Sequence, residues 1–285
     1  MTVQLDKQEG LVCAGAFELY VRREGSGPPL LFLGGSSFDM SLRAPVFSSA
    51  LVQHFAVAAF EPRGLARSGA PDGEWCMADY ASDALAVMDS LGWQRADVIG
   101  ESFGGMTALE LAIRHPHRVN RLAIVVAAPG GAGGSSYPIE EYSSAQPREQ
   151  AIAALRIQDA RFDPFNSHSS LAVEAKIQER MQFTQAFFGC PNNALGHPRL
   201  LKARSQHDCW DRLDQIKAQC TVISGRFDNQ APAAYGAAMA KRIAGAKFLL
   251  IEGGHSLCFA EPETIGFLLR EWGASLNSVG CASHG

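Results

Sequence analysis

Three observations predict an α/β fold: a mostly parallel central sheet with helices on both faces and a helical cap inserted between two of its strands. Short apolar runs bounded by turn residues alternate with helical patterns, which is how buried parallel strands and their covering helices read. One such run passes through Gly100-Glu101-Ser102-Phe103-Gly104-Gly105 directly into a helical pattern. From about residue 130 to residue 204, helices and loops follow one another with no strand pattern. That stretch therefore stands outside the sheet and reads as a cap over one edge of it.

The elements follow in order. Phe17-Glu18-Leu19-Tyr20-Val21-Arg22-Arg23 alternates and predicts a half-buried strand; Gly25-Ser26-Gly27-Pro28 turns the chain. Pro29-Leu30-Leu31-Phe32-Leu33 is a continuous apolar run that ends in Gly34-Gly35-Ser36-Ser37, and Phe55-Ala56-Val57-Ala58-Ala59-Phe60 is a second, ending in Glu61-Pro62-Arg63-Gly64. Residues 77–91 place Tyr80, Ala84, Val87, Met88 and Leu91 on one helical face. Ala96-Asp97-Val98-Ile99 leads into the serine turn, a helix over 106–115 follows, and Arg121-Leu122-Ala123-Ile124-Val125-Val126 predicts the next strand. Beyond a flexible Gly-rich junction at 130–136, helices are predicted over 151–157 and 171–188, the second rich in Met181, Phe183, Phe187 and Phe188. Strands resume at Cys220-Thr221-Val222-Ile223 and Lys247-Phe248-Leu249-Leu250-Ile251, and a helix over 263–276 closes the chain. The expected division is a core of 1–129 and 206–285 with a cap of 130–205.

Bulk properties remove several function classes. The 285 residues suffice for one large core or two modest ones, and a net charge of −4 without like-charge blocks argues against nucleic acid or an anionic membrane as partner. Met1-Thr2-Val3-Gln4-Leu5-Asp6 has neither a basic nor an apolar leader region. The seven cysteines are scattered, with no Cys-x-x-Cys, which predicts free thiols in the cytoplasm. No metal-ligand spacing and no phosphate-binding glycine motif occurs. The oligomeric state is left open.

The chemistry concentrates on a few residues. Glycine is common here, so Gly-x-Ser-x-Gly carries weight only through its context, a strand before and a helix after, which exposes the Ser102 hydroxyl at the carboxyl edge of the sheet. A serine hydroxyl needs a base to take its proton, and the base needs a carboxylate to fix its tautomer. Asp228 follows the strand ending at Ile223, in Ser224-Gly225-Arg226-Phe227-Asp228, and His255 follows the strand ending at Ile251, in Glu252-Gly253-Gly254-His255. Both fall just past strand carboxyl ends, where an open parallel sheet places its site. The rivals are worse placed. His115 and His117 flank Pro116 at a helix end, His54 precedes a strand, and His168 and His197 lie in the cap. His207-Asp208 sits in a polar stretch with no strand before it and fits at most a substrate contact. The backbone N–H groups of Phe103 and Ser36 are the expected oxyanion donors.

On these residues the chain resembles the α/β-hydrolase superfamily over about residues 17–276. Glu61-Pro62-Arg63-Gly64-Leu65-Ala66-Arg67-Ser68 is similar to that family's Asp-x-Arg-Gly-x-Gly-x-Ser segment, and residues 208–228 resemble the stretch leading into the acid in enol-lactone hydrolases and related esterases. The resemblance implies an α/β-hydrolase fold with a helical lid, a Ser102-Asp228-His255 triad, no cofactor, and a small-molecule ester or lactone as substrate, cleaved through an acyl-serine. Carbon–carbon bond hydrolysis and cofactor-free perhydrolysis use the same triad, and a silent, ligand-binding member of the fold is the reading from another class. Two departures are visible: Gly34-Gly35 stands for His-Gly, and Glu61 and Ala66 replace Asp and Gly. Gly34 and Gly35 are expected to leave space beside the oxyanion site, with Phe183, Phe187 and Phe188 lining the pocket from the cap.

Overall fold

The fold rests on eight strands, the inner ones alternating their side chains between two apolar layers. The structure, a computed structural model, describes residues 7–139, 146–166 and 170–273. The strands are β1 (Lys7–Ala14), β2 (Phe17–Glu24), β3 (Pro29–Leu33), β4 (Ala56–Phe60), β5 (Ala96–Glu101), β6 (Val119–Val125), β7 (Gln219–Gly225) and β8 (Lys247–Ile251). They form one sheet in the order β1-β2-β4-β3-β5-β6-β7-β8. β1 and β2 run antiparallel, as do β2 and β4; every other pair is parallel. In β3, Leu31 and Leu33 enter one core layer while Leu30 and Phe32 enter the other; in β6, Leu122 and Ile124 oppose Ala123 and Val125 in the same way. This two-residue period with both faces apolar is the continuous hydrophobic run of the sequence.

The first layer packs under α1 (Met77–Ser90) and α2 (Phe103–Arg114), which contribute Ala84, Val87, Met88, Ala108, Leu109 and Ala112. Beyond β6 the chain leaves the sheet and forms α3 (Pro147–Gln158), α4 (Ser170–Gly189) and α5 (Pro191–Ser205) before returning at β7. α6 (Ala233–Arg242), α7 (Leu257–Ala260) and α8 (Pro262–Glu271) complete the sheet's cover, α8 burying Ile265, Leu268 and Leu269 in the second layer. The closing helix therefore ends before the predicted residue 276, and residues 274–276 lie outside the described ones. A third cluster joins Leu65, Trp75, Tyr80, Phe103 and Met106 of the sheet-borne loops and helices to Phe187, Leu200 and Leu201 of the inserted helices.

A buried polar side chain also ties the insertion down. Asn193 is fully buried: its Oδ1 accepts from the Ala66 N–H at 2.7 Å, and its Nδ2 donates to Asp39 Oδ2 at 3.0 Å and to the Phe187 carbonyl at 2.9 Å. Ala66 holds φ 47°, the left-handed region that the glycine of the resembled segment would occupy without strain. Glu61, the other departure, is also fully buried and keeps the segment in shape by accepting from the N–H of Met40 at 3.1 Å and of Arg67 at 2.8 Å. Among the described residues no helix is long and apolar enough to cross a membrane, and the cysteines are unpaired.

Candidate active site

β5 delivers Ser102 to the centre of the sheet's carboxyl edge, between β3 and β6. Ser102 sits at φ 56°, ψ −117°, a conformation that side-chain-bearing residues avoid and that a sharp strand-to-helix turn imposes. The surrounding glycines are forced by contact. A Cβ on Gly100 would collide with the backbone of Gly104, and one on Gly104 with the Leu33 and Gly34 carbonyls. One on Gly105 would stand 2.6 Å from the Ala127 Cβ.

Asp228 lies on the loop after β7 and His255 on the loop after β8, and the two loops hold each other: the Arg226 N–H donates to the Ile251 carbonyl at 2.9 Å and the Phe227 N–H to the Gly253 carbonyl at 3.0 Å. The structure brings the three side chains into a line. His255 Nε2 is 2.8 Å from Ser102 Oγ, and His255 Nδ1 is 2.8 Å from Asp228 Oδ2. The other carboxylate oxygen of Asp228 accepts from the N–H groups of Gln230 at 2.8 Å and Ala231 at 2.9 Å, which fixes its plane. Ser102, Asp228 and His255 are all buried. Such a chain passes a serine proton to an imidazole whose far nitrogen is held as a donor by a carboxylate. Burial raises the Glu101 carboxyl above its ordinary range, against the smaller opposing pull of His255, the N–H of Cys258 and Arg43.

The N–H of Phe103 opens α2, where backbone donors are unsatisfied and the helix dipole is positive. The loop after β3 runs beside it, since a Cβ on Gly35 would sit 3.8 Å from the Ser102 Cβ. Neither the Phe103 nor the Ser36 N–H donates a hydrogen bond among the described residues. The space expected at Gly34 is already filled: a Cβ there would overlap the Phe38 ring, which is buried and packs edge-on against Phe32 at 5.7 Å. The turn that places Phe38 there, with its N–H on the Gly35 carbonyl at 3.0 Å, has no signature in the sequence.

The three phenylalanines of α4 differ. Phe187 is buried in the cluster that includes Phe103, Phe183 is partly buried against it, and Phe188 is 46% exposed. His197 packs edge-on to Phe187 and Phe188. His207 is buried away from the Ser102 line, with neither ring nitrogen partnered. His168 lies outside the described residues. Sequence reading missed the end of α3: the carbonyl of Ile157 accepts from the Asn229 N–H at 3.1 Å, that of Gln158 from the His255 N–H at 2.6 Å, and the Ala160 N–H donates to the Phe227 carbonyl at 2.8 Å. The contacts are backbone to backbone, so no residue type announces them.

The mostly parallel sheet, the serine elbow between β5 and α2, and the loops after β7 and β8 that bring Asp228 and His255 to Ser102 define the α/β-hydrolase fold. The alpha/beta hydrolase fold family matches residues 28–262, and the chain belongs to it. Over 269 residues it is 26% identical to a provisional non-heme haloperoxidase of Mycobacterium phage D29, covering 92% of this chain and 94% of that one. Over 132 residues it is 36% identical to the 2-hydroxymuconate semialdehyde hydrolase of Pseudomonas putida, covering 45% and 44% of the two chains. The enol-lactonase of Burkholderia xenovorans superposes with a TM-score of 0.75 at 23% identity, covering 92% of this chain and 99% of that one, a likeness of fold.

Proposed function

We propose that this α/β-hydrolase cleaves small carboxylic esters or lactones through an acyl-serine at Ser102. The observation that carries the reading is the unbroken line of 2.8 Å contacts from Ser102 Oγ through His255 to Asp228. In the first half-reaction Ser102 Oγ attacks the carbonyl carbon as its proton passes to His255 Nε2. The negative charge on the carbonyl oxygen is met by the N–H groups of Phe103 and Ser36, and Asp228 steadies the imidazolium. His255 then protonates the leaving alkoxide, the carbon–oxygen bond breaks, and the acyl group remains on Ser102. In the second half, water attacks the acyl carbon as its proton passes to His255; the bond from that carbon to Ser102 Oγ then breaks, His255 returns the proton to Oγ, and the acid is released. Residues 130–205 act as the cap, and the substrate enters beneath it. A cytoplasmic place of action accords with the cysteine usage.

A second reading, hydrolysis of a carbon–carbon bond in a vinylogous diketone, is favoured by the relative named 2-hydroxymuconate semialdehyde hydrolase. One panel separates the two: short-chain esters, lactones and a vinylogous diketone, each with wild type and Ser102→Ala. A fluorophosphonate probe should label the wild type and spare Ser102→Ala. Turnover of the diketone alone would promote the second reading; equal labelling of both proteins would sink both.

A further inference from the structure

The inserted helix α4 carries an arginine on its inner face. Ile177, Arg180, Met181, Thr184 and Phe187 are buried or half-buried and recur at the three- and four-residue spacing of one helical stripe, while Lys176, Gln178, Glu179 and Gln182 are exposed. Among the described residues the Arg180 guanidinium has neither a hydrogen bond nor an ion pair. Arg43, Arg156 and Arg270 also lack side-chain hydrogen bonds and ion pairs, but all three are exposed to water. The nitrogens of Arg180 are not sealed off: the unpartnered polar atoms without accessible surface lie on Arg23, Tyr80, His197, Arg204 and His207. Burial alone acts on the guanidinium, lowering it from its ordinary range with no carboxylate opposing. It still keeps its proton at neutral pH. A desolvated charge without a counter-ion is unfavourable, and methionine would fill the same stripe without one. The position therefore suits an anion that arrives from outside. Its charge is felt at His197 of α5, where it adds to the larger effects of burial and Arg204, and that imidazole is neutral at pH 7. One guanidinium beside a neutral imidazole balances one negative charge, which matches a carboxylate better than a phosphate dianion.

The stripe runs along the candidate site. Phe187, towards its end, is buried in one cluster with Phe103, the residue after Ser102, and Phe183 packs against that cluster. One turn before Arg180, Lys176 acts on the Asp159 carboxylate, after the larger effects of burial and Arg161. Asp159 in turn stands beside Gly254, the neighbour of His255. Arg180 thus lies on α4 between a contact to the elbow and a contact to the base loop, two turns, about 10 Å along the axis, from Phe187.

We propose that Arg180 receives a carboxylate at the far end of the substrate, so that the preferred esters or lactones are anionic. Anchoring the remote charge orients the ester carbonyl toward Ser102. Its link to turnover rests on the ester-hydrolase reading; anion binding at Arg180 does not.

The probes are monomethyl half-esters of linear dicarboxylic acids from succinate to pimelate, each against the corresponding half-amide methyl ester, which keeps the shape and removes the charge. At one chain length the half-ester should be preferred by at least about tenfold in kcat/KM, the effect of one charge-assisted hydrogen bond. Arg180→Met should bring that ratio to about one, and Arg180→Gln, which keeps a polar stem, should do the same if the methionine variant does not fold. Arg180→Lys should restore part of the ratio, because it keeps the charge and loses the fork. At least one of the free dicarboxylates should raise the melting temperature of the wild type saturably and leave that of Arg180→Met unmoved. A wild-type ratio near one at every chain length, or the same ratio with and without the Arg180 charge, would overturn the proposal. Dicarboxylate stabilisation that depends on Arg180, with no turnover of any ester, would leave the anion site standing and count against the ester reading instead.

Discussion

The backbone N–H of His255 donates to the carbonyl of Gln158 at 2.6 Å, so the loop bearing the proposed base is fastened to the last residue of an inserted helix rather than only to the sheet. Gly254 is what lets the two come so close: a Cβ on it would overlap the Gln158 carbonyl and stand 2.9 Å from the Asp159 Cβ. Gly254→Ala must push this loop away from α3. Misplacing a catalytic group by about 1 Å can cost on the order of 10²-fold. We expect kcat to fall by tenfold or more with a shift in melting temperature of only a few degrees. Unchanged kcat in a folded variant would show that the α3 contact does not set the position of His255.

Ala66 and Asn193 form a second stitch, and here the expected effects have opposite signs. Ala66 is strained at φ 47°, and the relief of that strain exceeds the gain in unfolded-chain entropy, so Ala66→Gly should stabilise the fold by about 1 kcal/mol. Asn193→Ala leaves the Ala66 N–H, the Phe187 carbonyl and the Asp39 carboxylate each short of a buried partner. It should cost roughly 3 kcal/mol or more. Urea denaturation of the two variants checks both signs; a neutral Asn193→Ala would mean that water replaces the amide without loss.

These relationships mark where sequence reading stops. The inner strands and the serine elbow were legible because burial on both faces leaves continuous apolar runs, and a tight turn leaves glycines at fixed offsets. The placement of Asp228 and His255 at the edge that carries Ser102 was legible because strand ends announce themselves. β1 was not: seven of its eight residues are exposed or half-buried at the sheet edge, so no alternation betrays it. α5 was not either, since Gly196 and Pro198 interrupt its pattern; Gly196 is there because its Cβ would strike the Gly64 carbonyl. The occupation of Gly34's free space by Phe38 depends on a turn between neighbours, and the unpartnered state of His207 depends on where distant segments pack.

Phe38 carries the third prediction. Its ring stands where a side chain on Gly34 would go, beside the loop that faces Ser102. Phe38→Ala should open that side, raising relative kcat/KM for branched or cyclic acyl groups over acetyl, at a stability cost of about 3 kcal/mol for the lost aromatic core contact. A panel of acyl-varied esters measures the first effect and thermal melting the second. Loss of stability with an unaltered acyl profile would place the acyl pocket elsewhere.

The last prediction concerns acid. Burial pushes both His197 and His207 down to about 4 from an ordinary 6.5, with Arg204 adding to the effect at each, Arg180 at His197 and Arg212 at His207; Glu110 and Asp208 oppose it at His207. Between about pH 6.5 and pH 4 the unfolded chain takes up protons at these positions and the folded chain does not. The stabilisation is therefore complete above about pH 6.5 and is lost as pH falls towards 4. Each site contributes at most about 3 kcal/mol across that window. That sum is a large part of a typical domain's stability. Urea midpoints measured from pH 7 down to pH 4 should fall steadily in the wild type. In His197→Leu, where leucine replaces a ring packed against Phe187 and Phe188, the titrating group is gone, and the fall over the same range should shrink by up to about 3 kcal/mol, the share of that one histidine. Equal pH slopes in the two proteins would mean that His197 is protonated in the folded state after all, with its buried Nε2 reached by water.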